Sequence, residues 1–274
     1  MNTIIMPVDF SDASYNAADY AASLSNIFDT SIILVHAYLN PSAIDEMPSH
    51  LLNQPEKELW KIKEDQLAEY VEILRKKYTI RITGIVREGM ATLAILEVAN
   101  MENASLIVMG MKGKGKSKSV FGSNTTSVMR KSSTPVLVIP EKVKFKNIEV
   151  ITLASDFDAE TALSNYSLLR TIALKNDAFI QIVNVRKKGS ELSDDELTGQ
   201  LNTTLAFEDL QHEFYMIKDD EVDEGIEDFL EDHHSDMLVM IARKRNLFER
   251  IFRTSHTRKM SYETEIPLLT LQDK

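Results

Sequence analysis

Glycine, lysine and hydroxyl side chains are concentrated in residues 105–140, in an order that is typical of a phosphate-binding loop. Residues 106–109 are apolar and predict a short buried strand, and glycines follow it at positions 110, 113 and 115. Glycine lets the backbone turn and approach a ligand closely, and the lysines between them add positive charge. Gly122 and Ser123 stand where a helix would begin, so free backbone N–H groups and the helix dipole would face an anion. This stretch therefore predicts a phosphate cradle.

The cradle can be placed in two ways. Gly110, Gly115, Lys116 and Ser117 satisfy the P-loop pattern GxxxxGK[ST], in which Lys116 would contact phosphates and Ser117 would hold magnesium. That placement requires a helix from Lys116, and Gly122 would then fall inside it, where glycine is unfavourable. We therefore favour a longer loop ending at Gly122, and a P-loop-type NTPase or kinase stays as the alternative.

Composition limits the class of protein. The 274 residues are enough for two domains, each with its own core, and there is no cysteine for disulfides or thiolate metal sites. No apolar run approaches 18 residues, and the chain enters a strand-like segment without a charged leader, so we expect a cytoplasmic protein without a membrane partner. The net charge of −11 makes general nucleic-acid binding unfavourable.

Strand-like and helix-like segments alternate, which predicts a parallel sheet with helices packed on its faces. The first helix is expected to start at the N-cap Ser11 and the next long helix to span 56–77. A helix over 90–100 is expected to turn Leu93, Leu96 and Val98 inward. The predicted strands of this half are 3–8, 31–38, 80–86, 106–109 and 135–139, and 40–55 is predicted to be a loop or lid.

The pattern then repeats. The segment from Ile148 resembles the first strand and its Asp-Phe turn, and the segment from Met237 aligns with the one from Leu106 at a constant offset of 131 without a gap. Two domains follow, 1–140 and 148–274, with a linker over 141–147. Glycines 110, 113 and 122 align with Ile241, Lys244 and Arg253, so the second domain is expected to have lost the cradle.

These features together resemble the universal stress protein family. The resemblance is carried by the tandem plan, by Pro7-Val8-Asp9-Phe10-Ser11, by Val35-His36 and by the VMG…GxxG…GS…STPVLVIP series. It implies an α/β fold: two doubly wound, five-stranded parallel-sheet domains, Rossmann-like and similar to adenine nucleotide alpha hydrolases, paired through their last strands. One departure is that eight residues separate Gly113 from Gly122, one fewer than in the family pattern.

The same resemblance implies an ATP site, with Mg²⁺ as an optional companion. It places adenine and ribose near Pro7, Asp9, Ala37 and Met109, and it places ribose and phosphates at Gly110, Lys112, Gly113, Gly122, Ser123, Asn124 and Thr125. Asp9 at the end of the first strand suits this role, because doubly wound sheets bind ligands at that edge. Asp9 could instead only cap the helix after it, and His36 reads as an interior histidine rather than a base.

The leading hypothesis is thus an ATP-binding stress or regulatory protein, not an enzyme, with one competent site in the first domain. No paired acids, cysteine nucleophile or GxSxG motif indicates catalysis, although slow hydrolysis or autophosphorylation at a loop serine stays open. The alternatives are the P-loop protein and a tandem scaffold that binds no nucleotide. Pairing of the two last strands within the chain is expected, and the same edges would permit a homodimer.

Overall fold

The computed structural model describes residues 2–40, 56–111, 123–242 and 266–272. Within these ranges the chain divides into two compact units, one ending at Phe145 and the next beginning at Lys146. Residues of the predicted linker contact the first unit: the amide of Asn16 donates to the carbonyl oxygens of Pro140 at 3.1 Å and Val143 at 2.7 Å. No helix in the described ranges is long and apolar enough to cross a membrane.

The first unit is a parallel sheet of five strands in the order β3-β2-β1-β4-β5. The chain builds the sheet outward from β1 to β3 on one side and then adds β4 and β5 on the other side of β1, so β1 and β4 are parallel neighbours. The elements are β1 (Thr3–Pro7), α1 (Asp12–Phe28), β2 (Ser31–Tyr38), α2 (Glu56–Lys77), β3 (Ile82–Glu88), α3 (Ala91–Met101), β4 (Leu106–Met111), α4 (Ser123–Lys131) and β5 (Val136–Pro140). The predicted loop over 40–55 lies almost wholly outside the described residues.

Helices cover both faces of this sheet. Right-handed crossovers in this strand order place α1 and α2 on one face and α3 and α4 on the other. The contacts agree, since the rings of Tyr15 on α1 and Tyr70 on α2 lie 4.9 Å apart, and Lys77 at the end of α2 pairs with Asp19 of α1 at 2.8 Å. Because both faces are covered, the strands are buried apolar runs, as expected for a parallel sheet.

Local chemistry explains where α1 begins and ends. Ser11 is the N-cap, as predicted, and its hydroxyl accepts the backbone N–H of Ser14 at 3.3 Å. Asp29 ends the helix in the left-handed conformation with a φ of 50°. Ala18, Ala22 and Leu24 of α1 are buried, whereas Tyr15 is 38% exposed.

The prediction for α3 is partly wrong. Val98 is buried, but Leu93 is 57% exposed, and the residues against the sheet are instead Ala94, Ile95 and Ala99. The sequence of α3 is apolar almost all round, so its periodicity does not select one face. Small side chains take the sheet side, which lets the helix lie close to the strands.

The second unit repeats the plan, with strands in the order β10-β9-β6-β7-β8, each parallel to its neighbours within the unit. This confirms the predicted two copies of one five-stranded α/β fold. The elements are β6 (Val150–Ala154), a 3₁₀ turn (Leu163–Tyr166), α5 (Ser167–Asn176), β7 (Phe179–Arg186), α6 (Asp194–Ala206), β8 (His212–Lys218), α7 (Val222–Asp232), β9 (Met237–Ala242) and β10 (Leu268–Gln272).

The repeat extends to single backbone angles. Phe10, after β1, has a φ of 60°, and Phe157, after β6, has a φ of 53°. This left-handed region is uncommon for a bulky residue. The helix ends match as well, since Asp177 after α5 has a φ of 52°, close to the 50° of Asp29 after α1. The two units therefore share their turns as well as their strands.

One connection differs between the units. Four residues, 8–11, join β1 to α1, whereas eight residues, 155–162, join β6 to the 3₁₀ turn that precedes α5. In the second unit the turn at Phe157 is covered by α6: a Cβ added to Gly199 would lie 1.9 Å from the Phe157 carbonyl oxygen. The start of the first helix, which borders the predicted site in the first unit, is thus built differently in the second.

Candidate functional site

A cleft of about 290 Å³ lies at the carboxyl ends of the central strands of the first unit. It opens where β1 and β4 lie side by side, the place at which doubly wound sheets bind ligands. Its volume is close to the lower end of the range for small-molecule sites, about 300–1,000 Å³. All eight predicted site residues within the described ranges line it: Pro7, Asp9, Ala37, Met109, Gly110, Ser123, Asn124 and Thr125. Lys112, Gly113 and Gly122 lie outside the described residues.

The strand ends give the cleft an apolar floor. Pro7 ends β1, Ala37 lies near the end of β2, and Met109 lies on β4. Carboxyl ends of neighbouring parallel strands meet at one edge of the sheet, so three residues far apart in sequence are brought together. A flat apolar group can pack on these apolar side chains, because they have no polar atoms that would lose a hydrogen-bond partner.

Asp9 has a structural task as well as a place in the cleft. Its Oδ1 accepts the backbone N–H of Ser11 at 3.0 Å and the Ser11 hydroxyl at 2.5 Å. Ser11 in turn caps α1. Asp9 is exposed and lines the cleft, so its carboxylate both organises the start of α1 and can accept hydrogen bonds from a ligand. The capping role and the site role are therefore compatible.

Gly110 is required by packing against α1. A Cβ at this position would lie 2.4 Å from the carbonyl oxygen of Ala13 and 3.0 Å from the backbone nitrogen of Ser14. Both contacts are with backbone, so no side-chain rearrangement could relieve them. The sequence suggested that Gly110 lets the chain approach a ligand, and the structure supplies a second reason for glycine that needs no ligand.

The N-terminus of α4 forms one wall of the cleft with Ser123, Asn124 and Thr125. The first turn of a helix has backbone N–H groups without intrahelical partners, and its dipole favours an anion. The Thr92 hydroxyl, from α3, lies 3.3 Å from Asn124 Oδ1 and donates to it. That contact leaves the amide nitrogen of Asn124 as the group that can donate into the cleft.

Asp9 is the only charged side chain among the described residues that line the cleft. His36 belongs to β2 and is only 7% exposed, and its Nδ1 lies 2.9 Å from the carbonyl oxygen of Val8. A carbonyl only accepts, so Nδ1 carries the proton, and burial lowers the pKa of His36 below its usual 6.5. His36 is therefore a neutral interior histidine, as the sequence indicated, and not a cleft base.

Several lining residues were not predicted. Ala91 and Ile95 of α3, Val35 of β2, and Ser14 of α1 also line the cleft. Ala91, Ile95 and Val35 are apolar and carry no chemical signal in a sequence. The hydrogen bond between Thr92 and Asn124 could not be predicted either, because it joins two helices that meet only through the fold.

The second unit has a different cavity at its corresponding turn. A space of about 430 Å³ is bordered by Phe157 and Ala159 together with five acidic residues, Asp156, Asp158, Glu160, Asp195 and Glu196. Ile241, which aligns with Gly110, is buried at 4% exposure. Within the described ranges, no group of three or more His, Cys, Asp or Glu residues is arranged to hold a metal ion. An acidic lining of this kind repels phosphate, in contrast to the cleft of the first unit.

Comparison with known proteins identifies the family. The model of the universal stress protein family matches residues 1–140 and again residues 160–272. Universal stress protein Sll1654 of Synechocystis is 35% identical over 140 residues, covering 50% of this chain and 85% of the relative. Universal stress protein MJ0531 of Methanocaldococcus jannaschii is 28% identical over 142 residues, covering 52% and 83%. Each relative thus matches about half of this chain.

A solved structure resembles the whole chain. The crystal structure of a universal stress protein from Archaeoglobus fulgidus covers 100% of this chain and 99% of its own, with a TM-score of 0.74 and 17% identity. At that identity the likeness supports the fold alone. Two family matches in one chain, on two copies of the same α/β fold, show that this protein belongs to the universal stress protein family as a tandem member.

Proposed function

We propose that the first domain binds an adenine nucleotide, with ATP as the leading ligand, and that the protein is a regulatory nucleotide-binding protein of the stress response. One observation carries this proposal. Eight residues from four segments of the chain, each expected from the family resemblance to contact base, ribose or phosphate, line one cleft at the switch point of the sheet.

Each wall of the cleft suits one part of such a ligand. The apolar floor of Pro7, Ala37 and Met109 can pack against a base. The carboxylate of Asp9 can accept a hydrogen bond from a ribose hydroxyl, and the N-terminus of α4 can receive phosphate oxygens. Lys112, Gly113 and Gly122 are proposed to complete the phosphate contacts, and a bound Mg²⁺ would offset phosphate charge.

The second domain is proposed to lack this activity. Ile241 replaces the glycine of the cradle, and five acidic residues border the nearby cavity. A triphosphate would meet negative charge there rather than helix N–H groups. One nucleotide per chain is therefore the expected stoichiometry.

The P-loop alternative receives less support. A P-loop requires a helix that begins at Lys116 and Ser117, and Gly122 would then fall inside that helix, where glycine is unfavourable. Asp9 is the only titratable group on the described cleft wall, and it already accepts two hydrogen bonds from Ser11, so no general base is evident for hydrolysis. We therefore propose a binding protein rather than an enzyme, acting in the cytoplasm. If the test below finds no nucleotide binding, the alternative of a tandem scaffold would be favoured instead.

The test is titration calorimetry of the purified chain with ATP, ADP and GTP in the presence of magnesium, together with mass spectrometry of any nucleotide released on denaturation. We expect one site per chain and a preference for adenine. Asn124→Ala should weaken ATP binding about tenfold, the scale for losing one hydrogen bond to a charged group. No binding of any nucleotide at millimolar concentration would reject the proposal.

Matched variants separate the candidate functions. Asp9→Asn should weaken binding, while Asp156→Asn, at the aligned position of the second domain, should leave it unchanged. Gly122→Val should abolish binding and Lys116→Ala should reduce it only in part. The reverse order for these last two variants would favour the P-loop protein.

A further inference from the structure

Helix α6 of the second unit turns three leucines to solvent. Leu197, Leu201 and Leu205 are 50%, 58% and 48% exposed, and they are spaced four residues apart. Residues at this spacing lie above one another on one side of a helix. We call these three residues the leucine face. Most surface helices of globular proteins turn charged side chains outward instead, so an exposed apolar strip of this kind is a candidate contact surface.

The helix cannot roll to bury these leucines, because its inner side is fixed by close contacts. Gly199 lies against the backbone at Phe157, where even a Cβ would be 1.9 Å from a carbonyl oxygen. Thr203 is 1% exposed, and its hydroxyl lies 3.3 Å from that of Tyr166. The Arg170 side chain donates to the Ala206 carbonyl oxygen at the end of the helix. The outward direction of the leucine face is therefore built into the packing.

The segment of the chain that contains the leucine face carries acidic charge only. Residues 189–211 contain six acidic residues and no lysine or arginine. Two of the six are in ion pairs, Glu196 with Arg186 and Asp209 with Arg170. The other acids stand at or near the ends of the helix: Asp194 and Asp195 in its first turn, Glu191 before it and Glu208 after it. An apolar strip with acidic ends is complementary to an apolar strip with basic ends.

We propose that the leucine face docks a basic amphipathic helix of a partner protein. Such a helix would lay its apolar side along the three leucines and place lysine or arginine side chains near Asp194 and Glu208. A second copy of this chain fits poorly. Whether two α6 helices pack parallel or antiparallel, the acidic ends of one meet the acidic ends of the other. An anionic membrane surface is disfavoured by the same charges.

The test uses the full chain and a fluorescein-labelled synthetic peptide of 18 residues. The peptide carries leucines at a helical spacing of three and four residues and lysines at all other positions, and its binding is followed by fluorescence anisotropy. We expect saturable binding that weakens with added salt. Leu201→Gln should weaken it at least tenfold, and Asp194→Asn with Glu208→Gln should weaken it and reduce its salt dependence.

Controls separate the leucine face from general attraction between a basic peptide and an acidic protein. Ile73→Gln removes an apolar side chain that is 53% exposed on α2 of the first unit, and it should leave binding unchanged. A peptide of the same composition with its leucines scattered around the helix should bind at least tenfold more weakly. Leu201→Gln should also keep the melting temperature of the parent protein, because the residue is exposed.

Three results would overturn the proposal. One is equal binding of the peptide to the parent chain and to Leu201→Gln. Another is equal binding of a peptide with glutamate in place of lysine. The third is a dimer in sedimentation velocity that Leu201→Gln dissociates, since the leucine face would then be covered by a second copy of the chain.

Discussion

Gly110 offers a direct test of how β4 and α1 pack beside the cleft. In Gly110→Ala the new methyl group would lie 2.4 Å from the carbonyl oxygen of Ala13 and 2.7 Å from its carbonyl carbon. Carbon and oxygen in van der Waals contact stay more than 3 Å apart, so either β4 or the first turn of α1 must move by several tenths of an ångström. Ser11 and Asp9 hold that turn by hydrogen bonds, which resist the movement.

Overpacking of this kind costs about 1–3 kcal/mol of unfolding free energy. For a chain of this size, each kcal/mol lowers the melting temperature by roughly 2–4 °C. The expected decrease for Gly110→Ala is therefore about 2–12 °C. It should fall on the unfolding of the first unit, because the residue and the backbone that it meets both belong to that unit.

Differential scanning calorimetry of the full chain measures this effect, with Gly84→Ala as the matched control. A Cβ at Gly84 would meet side-chain atoms of Leu67, at 3.0 Å, and of Val71, at 3.2 Å, and side chains shift more easily than backbone. We expect the control to change the melting temperature far less than Gly110→Ala does. Equal melting temperatures for the two variants would refute the packing explanation. Close approach of a ligand would then be the remaining reason for glycine at this position.

Three further changes test other contacts. His36→Asn should keep stability at pH 7, since Asn184 at the aligned position donates to the Ser155 carbonyl oxygen at 2.9 Å just as His36 donates to Val8. Because burial holds the pKa of His36 below 6.5, the parent chain should lose stability as pH falls below that value. Chemical denaturation at pH 5 and pH 7 should show a smaller loss of stability in His36→Asn than in the parent chain. Burial raises the pKa of Glu227 to about 7, so stability should fall as pH rises from about 4.5 to 7. Glu227→Gln should therefore raise the free energy of unfolding at pH 8 by about 1 kcal/mol, after allowing for solvent screening, and leave it unchanged at pH 5. Ser193→Ala breaks the capping box with Glu196 at the start of α6 and should cost about 1 kcal/mol in urea unfolding of the second unit; no measurable change would mean that the box adds nothing to stability.

Strongly patterned elements could be predicted from the sequence with accurate bounds. The structure has β2 at Ser31–Tyr38 and α2 at Glu56–Lys77, as the sequence predicts. An apolar run bounded by polar residues fixes β2, and a long amphipathic pattern fixes α2. The strand predicted over 80–86 is Ile82–Glu88, a shift of two residues at both ends.

Tertiary constraints account for what the sequence missed. Leu93 is about as hydrophobic as Ile95, which packs inward, so its residue type does not indicate that it faces solvent. The left-handed angle of Phe10 has no signal in its residue type, because bulky residues rarely adopt it. The cleft itself could be placed because family motifs lie at the ends of consecutive strands, whereas Ala91 and Ile95 of its wall could not.

The turns at Phe10 and Phe157 share one strained backbone angle in two units whose cavities differ. A left-handed bulky residue costs about 1–3 kcal/mol, a strain usually taken as a mark of a functional site. Here the strained angle persists in the second unit, where Ile241 has replaced the cradle glycine. Each phenylalanine ring packs on an aromatic neighbour, Phe10 at 4.7 Å from His36 and Phe157 at 5.8 Å from Phe214. Packing on an aromatic ring is therefore sufficient to explain the strained angle in both units, so this angle by itself does not mark a ligand site.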